Sequence, residues 1–138
     1  MDWITDDILI GNYLDAQDAE ALTENGVKSI INLTGDELEM DYTALGIRSV
    51  RKFRLIDGAG NEPELFLNAV KALRFSRKRL PPVLVHCHAG QSRSAVVVAV
   101  HLMKDVGMGL QEAMELISKK REVRITAGLQ EALFFASN

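Results

Sequence analysis

A single cysteine, Cys87, in a chain of 138 residues excludes an intramolecular disulfide and fits a reducing compartment such as the cytoplasm. No run approaches eighteen apolar residues, so no membrane-spanning helix is expected. The start, Met1-Asp2-Trp3-Ile4-Thr5-Asp6-Asp7, is acidic and lacks the basic, then apolar, pattern of a secretory leader. There is no internal repeat, linker or low-complexity tract. A net charge of −3 argues against general nucleic-acid affinity. What remains, 47% hydrophobic and 25% charged residues, is the composition of one globular domain, here expected to span residues 1–138.

Short apolar runs alternate with helical patterns along the chain. Ile8-Leu9-Ile10 and Val27 to Leu33 read as strands, with a helix between them from Asp15 to Asn25 that Asp15 caps and Gly26 ends. An acidic connection with a helical turn, Asp36 to Leu45, leads to an extended segment from Ile47 to Leu55. A helix from Glu62 to Lys78 presents Phe66, Ala69, Val70 and Leu73 on one face. Leu110, Ala113, Met114 and Ile117 recur at helical spacing, and Thr126 to Ala136 forms a last helix. Such alternation predicts an α/β fold, a central and mainly parallel twisted sheet flanked by helices. A ligand site belongs at the carboxyl end of its strands.

The chemistry concentrates where one such strand ends. Pro81-Pro82 punctuates the chain, Val83 to His86 is a buried strand, and Cys87 follows at its tip. From Ser94 to Val106 the residues are apolar almost all round; valines favour strand, yet the length of the run and the need to cover a central strand predict a buried helix. Its N-terminus then falls at Ser92-Arg93. The backbone N–H groups of His88, Ala89, Gly90, Gln91 and Ser92 therefore converge with a helix dipole on one point, which suits an anion. Arg93 adds a planar fork of donors matched to two phosphate oxygens. The same field favours the thiolate of Cys87, and Ser94 can donate a hydroxyl hydrogen bond to its sulfur. Gly90 lets the backbone turn inward.

A lone cysteine is more often a small buried hydrophobe; the surrounding residues turn that reading round. His86 and His88 flank Cys87 but leave a strand on opposite sides, which does not make a metal site. His86 is a supporting residue, and His101, on the following helix, a packed or surface one. The basic groups Arg74, Arg77, Lys78, Arg79 and Lys119, Lys120, Arg121, Arg124 read as solvated helix ends.

The stretch His86-Cys87-His88-Ala89-Gly90-Gln91-Ser92-Arg93-Ser94 resembles the His-Cys-x-x-Gly-x-x-Arg-Ser signature of the cysteine-dependent protein phosphatases, most closely their dual-specificity branch. Weaker similarity runs from Ile8 to Phe134. Two departures, Ile125-Thr126 in place of Pro-Asn and a glycine-rich acid loop, are expected to leave the catalytic groups untouched. The resemblance implies a general-acid aspartate about thirty residues before the cysteine, a place held here by Asp57. It also implies hydrolysis through a phosphocysteine with no cofactor and no metal. Glu62 and Glu64, at a helix start, are poorer candidates for the acid. Gly58 and Gly60 would let the acid loop move.

Loop composition and chain length point to phosphotyrosine together with phosphoserine or phosphothreonine in protein or peptide substrates, because there is no room for the insertions that deepen a tyrosine-only pocket. Phosphoinositide, nucleotide and RNA 5′-end phosphoesters are the alternative substrates, and a non-catalytic phosphate-binding module is the alternative class. A sulfurtransferase would lack the acid. The expected assembly is a monomer, apart from nucleic acid and membrane.

Overall fold

Residues 1–137 are described by a computed structural model, with side chains through Phe134; the last residue of the expected domain, Asn138, lies outside the described residues. Five strands form one sheet: β1 (Asp2–Trp3), β2 (Ile8–Gly11), β3 (Ser29–Asn32), β4 (Ser49–Lys52) and β5 (Val83–His86), in the order β1-β2-β5-β3-β4. Every pairing is parallel except the β1–β2 hairpin edge. Alternation of side chains sorts the strands between two cores. Ile8, Ile10, Ile31, Val83 and Val85 face one, and Leu9, Ile30 and Leu84 face the other.

The larger core is closed by helices α2 (Pro63–Arg79), α3 (Arg93–His101), α4 (Leu110–Lys120) and α5 (Ala127–Ser137). Helix α3 lies in its middle, and every residue from Ser94 to His101 is buried. That explains a helix written in valines: packing on all sides outweighs a β-branched penalty of a few tenths of a kcal/mol per residue, about 0.5. The helix does not run evenly to Val106 as expected. It passes at Leu102–Val106 into a π-helical turn that ends at Gly107. There the His101 Nδ1–H donates to Asp105 Oδ2 at 2.8 Å, while His101 Nε2 faces Arg77 Nη1 at 3.2 Å.

The smaller core is covered by α1 (Ala19–Glu24) and the connection through Leu38, Tyr42 and Leu45. Asp15 does not cap this helix. Asp15 Oδ2 accepts the Asn12 N–H and Asn12 Oδ1 accepts the Asp15 N–H, each at 2.8 Å, which closes a turn ahead of the 3-10 stretch Asp15–Gln17. Asp18 is the cap, accepting the Ala21 N–H at 3.0 Å. The two aspartates sit three residues apart, and the turn takes the first.

Candidate active site

Parallel register sets Gly11, His86 and Asn32 side by side at the carboxyl ends of β2, β5 and β3. Cys87 is the first residue beyond that line. Its side chain is buried, and its Sγ lies 3.3 Å from Ser94 Oγ, with the Gly90 N–H donating to it over the same distance. The thiol, the hydroxyl and the glycine amide thus come together across one turn of loop and the first turn of α3.

The bonding of the loop carbonyls decides where its amides face. Five consecutive peptide units run from Cys87 to Ser92, and each carbonyl has a donor. His86 Nδ1 approaches the Cys87 carbonyl at 3.3 Å, the Tyr13 N–H bonds that of His88 at 3.1 Å, and the Arg124 N–H bonds that of Gln91 at 2.9 Å. Arg121 serves the remaining two, Ala89 at 3.3 Å through Nη2 and Gly90 at 2.6 Å through Nε. In a planar peptide the N–H points opposite to its carbonyl, so the amides turn to the other side. Apart from Gly90, whose N–H meets the sulfur, the N–H groups of His88, Ala89, Gln91 and Ser92 have no acceptor among the described residues. Four open donors beside a buried sulfur, at the start of a nine-residue helix, form an anion nest.

Arg121 is the residue the sequence reading misplaced. It stands just past α4, but it is no solvated helix end: its side chain is 13% exposed. Besides the two loop carbonyls it donates to Ile10 O at 3.3 Å, and Nη1 pairs with Asp2 Oδ2 at 2.8 Å. Gly90 has to be glycine in this setting. Its φ is +70°, and a Cβ there would meet Arg121 Nη2 at 2.5 Å and the Gly11 carbonyl oxygen at 2.6 Å. Arg77, read in the same way, is likewise engaged, its Nε lying 2.8 Å from Asp7 Oδ1.

Arg93 opens α3 half-buried. Its Nη1 donates to the Leu55 carbonyl at 3.2 Å, and its Nε is buried with no acceptor, a donor left for a ligand. Leu55 begins the segment that carries Asp57. Asp57 itself is exposed, and the Thr126 hydroxyl donates to its Oδ1 at 3.4 Å. The N–H of Thr126 in turn donates to Ser92 Oγ at 3.3 Å. One of the two departures thus does reach the candidate groups, contrary to expectation. Thr126 has a hydroxyl where the resemblance would place an amide, and it joins the aspartate to the phosphate loop.

The glycine-rich segment around Asp57 is closed on itself. Asn61 Oδ1 accepts the Ile56 N–H at 2.6 Å, and Asn61 Nδ2 donates to the Ile56 and Gly58 carbonyls at 2.8 and 3.3 Å. From behind, Gly128 of α5 presses against it, so closely that a Cβ would come within 2.1 Å of the Ala59 nitrogen. No single-residue signal marked Asn61 or Gly128 in the sequence; Asn61 acts through bonds three and five residues back, and Gly128 through a contact made across 69 residues of chain, with Ala59.

His86 is fully buried, and its bond to a carbonyl fixes the proton on Nδ1. Burial pushes its pKa down to about 4, against the bond to the Cys87 carbonyl, so the ring is neutral near pH 7. His88 is exposed. It lies 3.7 Å from Asp36 and packs on Tyr13 with ring centroids 4.9 Å apart, forming the rim of the site with Arg54, which reaches Asp36 at 3.4 Å. Asn32 shapes that rim from the end of β3, its Oδ1 accepting from the Thr34 hydroxyl at 2.7 Å and the Thr34 N–H at 2.9 Å. Gln91 turns its amide to Glu122 at 3.3 Å, away from the nest.

Residues 8–135 match the family model described as "Dual specificity phosphatase, catalytic domain". Mouse dual specificity protein phosphatase 15 is 30% identical over 123 residues, which cover 84% of the chain and 48% of the relative. Human protein phosphatase Slingshot homolog 1 is 33% identical over 138 residues, covering 94% of the chain and 12% of the relative. The chain thus spans less than half the length of either. The crystal structure of human DUSP28 superposes with a TM-score of 0.86 at 18% identity, covering 99% of the chain and 95% of that structure.

Proposed function

Because the chain belongs to the family of dual specificity phosphatase catalytic domains, we propose that it is a cysteine-dependent phosphatase that hydrolyses phosphotyrosine and phosphoserine or phosphothreonine in proteins. The observation that carries this reading is the nest: five carbonyls bonded outward, four amides left open, and a buried sulfur in contact with Ser94 and Gly90.

In the first step the Cys87 thiolate attacks phosphorus, a P–S bond forms and the P–O bond to the substrate breaks. The open amides of His88, Ala89, Gln91 and Ser92 and the guanidinium of Arg93 hold the three non-bridging oxygens as charge moves onto them. Asp57 gives its proton to the departing alkoxide or phenoxide. Ser94 donates to the sulfur when it leaves again. In the second step Asp57, now a carboxylate, takes a proton from water, which attacks the phosphocysteine and releases inorganic phosphate. Neutral His86 holds the Cys87 carbonyl through Nδ1. Thr126 orients the Asp57 carboxyl toward the loop.

All the groups named come from one chain, so the reading requires no second subunit, and the lone unpaired cysteine supports a reducing compartment such as the cytoplasm. The test is phosphate release from para-nitrophenyl phosphate and from phosphotyrosyl, phosphoseryl and phosphothreonyl peptides. Wild type should turn over all of them, with inhibition by vanadate and none by a chelator. Cys87→Ser should retain phosphopeptide binding and lose turnover. Turnover by Cys87→Ser, or activity on phosphotyrosine alone, would contradict the cysteine mechanism and the dual specificity respectively.

A further inference from the structure

Between Tyr42 and Ile56 the chain carries no acidic residue but four basic ones, Arg48, Arg51, Lys52 and Arg54, in a protein whose net charge is −3. Arg51 and Lys52 lie in β4, the free edge of the sheet, and Arg48 and Arg54 flank it. Cations on an edge strand guard against strand addition, and Lys52 and Arg54 are in addition paired, with Glu37 and Asp36. Arg51 is different. Where β4 meets α2 there is a groove of about 380 Å³, lined by Arg51, Phe53, Lys71, Arg74 and Phe75 among others. Guarding an edge does not account for Lys71 and Phe75, which come from the helix and converge on the same groove.

Arg74 reaches Asp105 at 3.4 Å, but Arg51 and Lys71 have no acidic partner among the described residues. The Arg51 guanidinium lies 5.6 Å from the centroid of the Phe53 ring, a stacking that holds its donors outward. Phe75, 55% exposed, lies beside them, with the Arg79 guanidinium stacked 5.6 Å from its ring centroid. Two unneutralised cations gathered around an aromatic-walled groove repel one another until an anion joins them. An extended acidic peptide satisfies both walls, its carboxylates meeting Arg51 and Lys71 and its methylene and backbone surface lying on the rings.

Its place relative to the active site is fixed by the strand. Arg51 is four residues before Leu55, whose carbonyl binds Arg93, so at about 3.3 Å per residue at most about 13 Å of chain separates it from the residue that touches Arg93. We propose that this groove is a substrate-docking surface for an acidic segment of the phosphoprotein, about four to six residues from the phosphorylated one. The inference rests on the phosphatase reading and adds a substrate class to it.

The test uses a fluorescent phosphotyrosyl peptide with glutamates at positions four to six on both sides, and the same peptide with glutamines. The glutamate peptide should bind Cys87→Ser about tenfold more tightly, and wild type should show a similar ratio in KM with kcat equal for the two. Arg51→Glu with Lys71→Glu should erase the preference while para-nitrophenyl phosphate turnover stays at the wild-type value. Raising salt to about 1 M, where charges are screened beyond about 3 Å, should erase it too. Equal binding of the two peptides by Cys87→Ser, or a preference that survives the double charge reversal, would overturn the proposal. The binding measurement decides this independently of hydrolysis; a wild-type chain that hydrolyses nothing yet discriminates between the peptides would sink the enzymatic reading and keep the surface.

Discussion

Replacing Arg121 by glutamine tests whether the nest depends on the donors behind it. The substitution deprives the Ala89 and Gly90 carbonyls of their partners. Ala89 is exposed and can turn to water, whereas Gly90 is buried. An unsatisfied buried carbonyl costs about 1–3 kcal/mol. The loop avoids part of that cost by rotating the Gly90–Gln91 peptide, which carries the Gln91 N–H out of the nest. One lost charge-assisted donor to a phosphoryl oxygen is worth about 1.5–3 kcal/mol, or about 10- to 100-fold in kcat/KM. Arg121→Gln should therefore lower kcat/KM on para-nitrophenyl phosphate by that factor and weaken vanadate inhibition in parallel. Arg121→Lys keeps the charge but serves one carbonyl at most, and should fall between the two. Asp2→Asn, which loosens the 2.8 Å pair at the other end of the guanidinium, should give a smaller effect in the same direction. An Arg121→Gln protein that folds and binds vanadate as tightly as wild type would refute the reasoning.

Asp57→Asn should slow alkyl phosphates by about a hundredfold or more and aryl phosphates with good leaving groups far less, since only the former need the proton; equal losses on both would remove Asp57 from the acid role. Gly128→Ala forces the Ala59 backbone away from α5 and should lower kcat by about tenfold or more, with the vanadate inhibition constant held, because a displacement near 1 Å is costly for the chemistry and not for the nest. His86 titrates at about 4 in the fold against about 6.5 in the unfolded chain, so its contribution is complete above pH 6.5 and is lost as pH falls toward 4. His101, also held below its ordinary value by burial, acts in the same direction. The unfolding free energy from urea titration should fall steadily from pH 6.5 to 4.5, by up to about 1.4 kcal/mol per pH unit from His86 alone, and fall less steeply in His86→Asn; an unfolding free energy independent of pH over that interval would contradict the buried neutral ring.

What was legible in the sequence was what is local. Cys87, Gly90, Arg93 and Ser94 belong to eight consecutive residues between a strand and a helix, and backbone geometry alone makes them neighbours. The valine helix was legible because length and the need for a cover decide against propensity. Asp57 required a resemblance, since nothing in Asp57-Gly58 distinguishes an acid from an ordinary turn. Arg121 and Thr126 were not legible: they reach the loop because α4 returns the chain to it, and a basic residue after a helix has the same local signature whether it meets water or a row of carbonyls. The misplaced helix cap has the same origin. Asp15 and Asp18 are equivalent as letters, and the partner Asn12 chooses between them.

Helix α3, enclosed on every side, gives the two flanks of the phosphate loop unequal lifetimes. Its amides from Val97 to Val100 can exchange with solvent hydrogen only when the whole molecule opens, so the downstream end of the loop is anchored in the last part to unfold. The outer side is anchored instead by the segment from Arg121 to Thr126, whose contacts to Ala89, Gly90, Gln91 and Ser92 are a handful of hydrogen bonds near the surface. Val123 and Ile125 add apolar contact with the core, yet on warming that segment is expected to open before the sheet and α3. Anion binding should then disappear at a lower temperature than the far-ultraviolet dichroism, and the interval between the two would report how much of the site is held by the core and how much by its outer strap.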